Sequence, residues 1–210
     1  MKIKNYVSGG MTRCGQACFR MIVDTLANQT ISESEADKIT GYVEGRGTWQ
    51  FKMLLGFASF GLSVKDHENF NVALFLENPV KAIEEQTEDK DAIKGILDET
   101  DCEAEQKAVA SCLQSPLIKF VDSIPKLDDL KNELSSNAFV IVNVNSKVLQ
   151  NKPGREGHIL IIEDILDDHI IVTDPGPQGG LGVKIPIDLF IKAWNSPSQK
   201  MANFISVKKI

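Results

Sequence analysis

Cys14, His158 and Asp174 are the residues of this chain whose types and order could carry out covalent chemistry. A thiol nucleophile needs an imidazole to hold its proton and a carboxylate to orient that imidazole. Such partners meet in space and not in sequence, so a cysteine near the start with a histidine and an aspartate far downstream fits the pattern. Cys14 opens an apolar-periodic run and is predicted at a helix N-terminus. There, unpaired backbone N–H groups and the positive end of the helix dipole favour a thiolate. Gly15, directly after it, lets a substrate or another backbone approach closely, whereas Cys18, one turn on, is expected on the core side. Singly, each residue has a structural explanation: a small buried hydrophobe, a satisfied strand histidine, a turn carboxylate before Pro175-Gly176. The combination and its order carry the reading. His67, after a short strand, and His169, in a turn, are expected to be exposed.

Residues 158–164 and 169–174 read as the strands of a hairpin turning near residues 166–168, with His158 and Asp174 at its open end. The two lie within about three positions of direct opposition on strands roughly 4.8 Å apart, so a carboxylate on one can reach an imidazole on the other. A one-residue slip would send them to opposite faces. Residues 138–144 form an apolar, β-branched run typical of a buried central strand, preceded by a helix over 127–134. Strands at 183–185 and 204–207 and a helix over 187–194 complete this half.

The N-terminal half reads as helical. Gly9-Gly10 is a non-helical lead-in. Cys14, Ala17, Cys18, Met21, Ile22 and Leu26 then line one face of a helix ending near Asn28. Ser32 and Glu35 form a capping box for a helix to about Thr40, and the chain breaks at 45–47. Thr48 is predicted to cap a third helix with Phe51, Leu54, Leu55 and Ala58 inward, ending before Gly61. A short strand follows at 62–66. Residues 80–114 read as two helices with Gly95 as a weak point, a helical, acidic insertion over about 80–115. Helices first and an antiparallel sheet afterwards give an α+β class, in one domain spanning residues 1–210.

Of 210 residues, 42% are hydrophobic and 25% charged, which is ordinary for a globular chain. The net charge of −6 is concentrated between Glu84 and Glu105, where ten Asp/Glu face only Lys90 and Lys94. No basic stripe could neutralise phosphates, which argues against a nucleic-acid partner. No apolar run reaches the roughly 18 residues that span a bilayer, and no signal-peptide core follows the first residues. A cytoplasmic protein with free thiols is therefore expected. Cys14 and Cys18 are three residues apart, a poor match to zinc-ligand spacing, so no metal site is expected.

The run Cys14-Gly15-Gln16-Ala17-Cys18-Phe19-Arg20-Met21-Ile22 resembles the nucleophile helix of the bacteriocin-leader (double-glycine) cysteine peptidase-like family, papain-like in fold. Gly157-His158-Ile159-Leu160-Ile161-Ile162-Glu163-Asp164 and Val172-Thr173-Asp174-Pro175-Gly176 resemble its histidine and aspartate strands. The helix from Trp49 to Gly61 and the helix and strand over 127–144 fit as well, while about residues 68–120 lie outside the resemblance. It implies a thiol hydrolase without cofactor, acting on a peptide or other amide through a thioester. Cys14 would be the nucleophile, His158 the base and acid, and Asp174 the orienting carboxylate. Gly15 and Gly157 would border the substrate. The family places an oxyanion-binding Gln six residues before the nucleophile, where this chain has Ser8. Asn5, Ser8, Gln16 or backbone N–H groups around Gly9-Gly10 are the candidate substitutes. The departure leaves two alternatives: a lapsed module that binds an extended peptide, and an acyl transferase using the same triad.

Overall fold

Seven strands order this chain around residues 139–145, the β-branched run that the sequence marks as central. The computed structural model describes residues 3–8, 12–46 and 48–210; the Gly9-Gly10 lead-in and Gly47 lie outside the described residues. The strands are β1 (Leu62–Glu68), β2 (Ile118–Asp122), β3 (Phe139–Asn145), β4 (Gly157–Ile165), β5 (His169–Asp174), β6 (Gly180–Pro186) and β7 (Asn203–Lys209). They lie in the order β2-β1-β7-β3-β4-β5-β6. All neighbours are antiparallel except β1 and β2, a parallel pair at one edge.

Each face of the sheet carries its own core. On one face, Ile141, Ile161, Ile205 and Val207 pack with the side chains of α1 (Cys14–Ile22), α2 (Glu33–Thr40), α3 (Phe51–Ser59) and α7 (Cys102–Gln114). On the other, Val140, Val142, Leu160, Ile162 and Phe204 pack with α8 (Leu127–Ser135), α9 (Ser146–Leu149) and α10 (Ile187–Trp194). The period-2 alternation of β3 and β4 supplies both cores at once, which is why these strands read as continuously apolar.

The first helix runs as predicted from Cys14, continues through a π-helical stretch at Val23–Ala27 and stops at Asn28 in the left-handed conformation. The Ser32–Glu35 capping box is present on α2. Gly56 lets α3 lie against α1 and α2: a Cβ there would fall 2.6 Å from Ile39 and 2.9 Å from the Phe19 ring.

Several local expectations are corrected. Gln50, not Thr48, precedes α3, and the Thr48 hydroxyl instead accepts from Gln16. The acidic region contains three helices, α5 (Pro79–Glu84), α6 (Lys90–Glu99) and α7, after a short α4 (Val72–Glu77). Gly95 lies inside α6; the break comes at Thr100-Asp101, where Asp101 caps α7. Ala108, Val109 and Cys112 of α7 are core residues, whereas α6 buries none. His67 is buried, not exposed, because β1 is flanked on both sides. Its ring bonds the Ser123 hydroxyl at 2.8 Å and packs at a tilt against the Phe204 ring. His169 is half-buried and begins β5, where its ring bonds Asp168.

Leu160 is fully buried where β4 meets the second core. Leu160→Ala is expected to lower unfolding free energy by about 2–5 kcal/mol, measured by denaturant titration.

Candidate active site

The β4–β5 hairpin settles the orientation of His158 and Asp174 through one extra residue. From the turn, Ile165 pairs with Ile170 and Asp164 with Ile171. Continued unchanged, that register would leave His158 three positions from opposition to Asp174, on the other face of the hairpin. A bulge between Ile162 and Asp164 shifts the ladder by one, so that Ile162 pairs with Val172 and Ile161 with Thr173. His158 is then two positions from opposition, a same-face diagonal neighbour of Asp174. The additional residue, Glu163, is fixed in place: its carboxylate accepts from the Thr173 hydroxyl at 2.6 Å and from the Gly182 N–H at 2.9 Å.

The result is a bond of 2.7 Å between His158 Nε2 and Asp174 Oδ1. The same oxygen accepts from the Gly176 N–H at 2.8 Å. Gly179 closes the loop against Asp174, where a Cβ would come within 2.2 Å of the Asp174 carbonyl oxygen. The Cys14 thiol is near enough to the imidazole to act, alongside Asp174, on the charge of the ring. Burial disfavours the charged ring, but Asp174 and Cys14 outweigh it and raise the His158 pKa from 6.5 to about 10. Burial likewise opposes ionisation of Asp174, and the His158 and Gly176 hydrogen bonds reverse this, holding its carboxyl below the usual range.

Cys14 is the first residue of α1. The Ala17 N–H is the one that bonds back to the Arg13 carbonyl, so the N–H groups of Cys14, Gly15 and Gln16 precede the helical ladder. Arg13 anchors this end through ion pairs to Glu33 and Asp37 and by stacking over Tyr42. Cys18 is fully buried one turn on, and burial pushes its thiol well above the ordinary value. Cys112, also buried, is pushed up to about 12. All four cysteines are free thiols.

The N-terminal segment ties these parts together. Lys4 and Tyr6 bond Asp24, Tyr6 lies against the Arg20 guanidinium, and the Ser8 N–H donates to the Pro175 carbonyl at 2.9 Å. Ser8 is buried and lines a cavity of about 380 Å³ with His158, Asp174 and Gly176. Asn5 is exposed and lines neither this cavity nor its neighbour. Gln16 donates its amide to Thr40 at 3.0 Å and Thr48 at 3.4 Å, which takes up both N–H groups expected to be available for an oxyanion. A second cavity, of about 540 Å³, is lined by Cys14 and bordered by Gly15 and Gly157. A side chain at Gly15 would press on Met53, and one at Gly157 on Asn143. Glu156 borders both cavities, with Cys14 on the wall of one and His158 on the wall of the other.

Three residues of the larger cavity's acidic end went unnoticed in the sequence: Gln50, Asp66 and, behind them, Glu68. A signal existed. Leu62, Val64 and Asp66 share the inward face of β1, so the alternation places a carboxyl at a core-facing position.

No protein-family model matches the sequence, and no curated protein is significantly similar to it. Solved structures do match along nearly the whole chain. One is the peptidase domain of Streptococcus ComA, a bi-functional ABC transporter involved in a quorum sensing pathway, at 12% identity and a TM-score of 0.53. The match covers 99% of this chain and 98% of that one. Another is a double glycine motif protease from an AMS/PCAT transporter in complex with the leader peptide, also at 12% identity and 0.53, covering 100% of this chain and 93% of that one. The fold is therefore that of the papain-like, double-glycine peptidase domains. Among the described residues no helix is long and apolar enough to cross a membrane.

Because the folded pKa of His158 lies above its ordinary 6.5, its charged form stabilises the fold. That contribution is complete below about pH 6.5 and is lost as pH rises through about 10. NMR titration of the ring is expected to give a midpoint near 10, falling toward 6.5 in Asp174→Asn. The stability advantage of the wild type over this variant should shrink over the same interval.

Proposed function

We propose that the protein is a cysteine peptidase acting on an extended peptide laid across the two cavities. The observation that carries this reading is the imidazole of His158 held between the Asp174 carboxylate and the Cys14 thiol. An imidazolium beside sulfur is the partner with which cysteine acts as a thiolate. The Cys14 sulfur adds to the scissile carbonyl carbon, and the carbonyl oxygen takes the negative charge. Backbone N–H groups at the start of α1 are the donors nearest that charge. His158 gives its proton to the departing amine, leaving a thioester on Cys14. Water then attacks the thioester, His158 takes and keeps the water's proton, and the C–S bond breaks to release the acid product, returning the sulfur and the protonated ring to their starting state. Asp174 keeps the ring oriented and balances its charge throughout.

The substrate class is supported by the cleft's two-sided form and by the bound leader peptide of the AMS/PCAT relative. The position of Ser8 favours a second reading, a module that binds the peptide without cutting it. Loss of one oxyanion donor costs about 10²–10³ in rate.

Iodoacetamide at neutral pH should modify Cys14 ahead of Cys18, Cys102 and Cys112. Cleavage of a peptide library should fall by roughly 10³ or more in Cys14→Ala. Product formation that survives Cys14→Ala would overturn the mechanism. Peptide binding without any product from the wild type would establish the second reading.

A further inference from the structure

The larger cavity ends on an acidic pair with which, among the described residues, no lysine or arginine forms an ion pair. Asp66, 1% exposed, lines the cavity that begins at Cys14. The Glu68 carboxyl lies beside it on β1, and the two are bridged by one amide: Gln50 Nε2 donates to Glu68 at 2.5 Å and to Asp66 at 3.4 Å. The neighbouring lysines are committed elsewhere, Lys65 to Glu133 and Lys52 to Glu105. Arg46, the cationic side chain on the cavity wall, is exposed. Burial raises the Asp66 pKa to about 7, and burial followed by the charge of Asp66 raises Glu68 well above its ordinary value.

A second observation points the same way. Gln16 lines the same cavity and is 1% exposed, and with its N–H groups on Thr40 and Thr48 its carbonyl oxygen has no hydrogen-bond partner. The buried end of the cavity therefore presents hydrogen-bond acceptors, which a donor with positive charge would complement. Among the described residues no group of three or more His, Cys, Asp or Glu is placed to hold a metal ion. The complement is an organic cation. Met53, Ile141, Ile159 and Ile205 along the walls suit the methylene stem of a long basic side chain.

Building on the peptidase reading, we infer that this cavity is a specificity pocket for a lysine or arginine side chain flanking the scissile bond, whose cationic head is received by Asp66. The pocket distinguishes by charge what its apolar walls accept by shape. A neutral residue of equal length would leave Asp66 without a cationic partner, and an acidic one would be repelled.

The test uses the full chain and peptides identical except for Lys, Arg, norleucine or Glu at each position near the cleaved bond. At one position the wild type should prefer Lys or Arg over norleucine by about tenfold or more in kcat/KM. In Asp66→Asn that ratio should fall to near 1 while norleucine peptides are still cleaved. Asp66→Asn keeps the side-chain volume and removes a buried acid, and a thermal melt checks that it folds. Glu68→Gln should lower the ratio in the same direction. If no peptide is cut, the peptidase reading fails, and the same Lys and norleucine peptides are measured for binding to Cys14→Ala, where the preference should persist. Equal handling of Lys and norleucine by the wild type, an unchanged ratio in Asp66→Asn, or no binding of any peptide would overturn the proposal.

Discussion

The bond between His158 and Asp174 is the interaction on which the geometry of the site rests, and it exists only because the hairpin is irregular. A regular ladder from the turn would carry the carboxylate to the face opposite the ring. The bulge at Glu163 restores the parity, and the hydrogen bonds from Thr173 and Gly182 to its carboxylate hold the extra residue in position. Backbone register, a property of the whole hairpin, thus decides the orientation of a single imidazole. The same arrangement accounts for the raised pKa of His158 and the lowered one of Asp174, each of which is the other's reason.

Cys14 arrives at this pair from a different part of the structure. Its helix is seated in the core on one face of the sheet, through Cys18, Phe19, Met21 and Ile22, while β4 also contributes Leu160 and Ile162 to the core on the other face. Because both cores pack on the same strands, the helix of Cys14 and the strand of His158 are held to one sheet. Interiors at crystal-like density transmit small displacements instead of absorbing them. Alignment of the site is therefore a property of the sheet as a whole.

Much of this was legible in the sequence. The helix from Cys14, the capping box at Ser32 and Glu35, the central strand and the hairpin all have strong local signals, and the fold follows from them. Three things were not. Strand β2 is short, carries only half-buried and exposed residues and pairs with a strand some fifty residues earlier, so no local pattern announces it. The environments of His67 and His169 depend on which strands flank theirs, and that is fixed by topology. Gln16 looked like a free amide because the sequence does not reveal that Thr40 and Thr48 fold over it. Legibility ended where partners are distant.

The opening segment of the chain has a consequence of its own. Residues 4–8 stitch the helix that begins at Cys14, at Arg20 and Asp24, to the backbone next to Asp174, at Pro175. Two supports that reach the cleft by separate routes are thereby cross-braced at the rear. A load applied ahead of this brace is therefore shared by both supports at once.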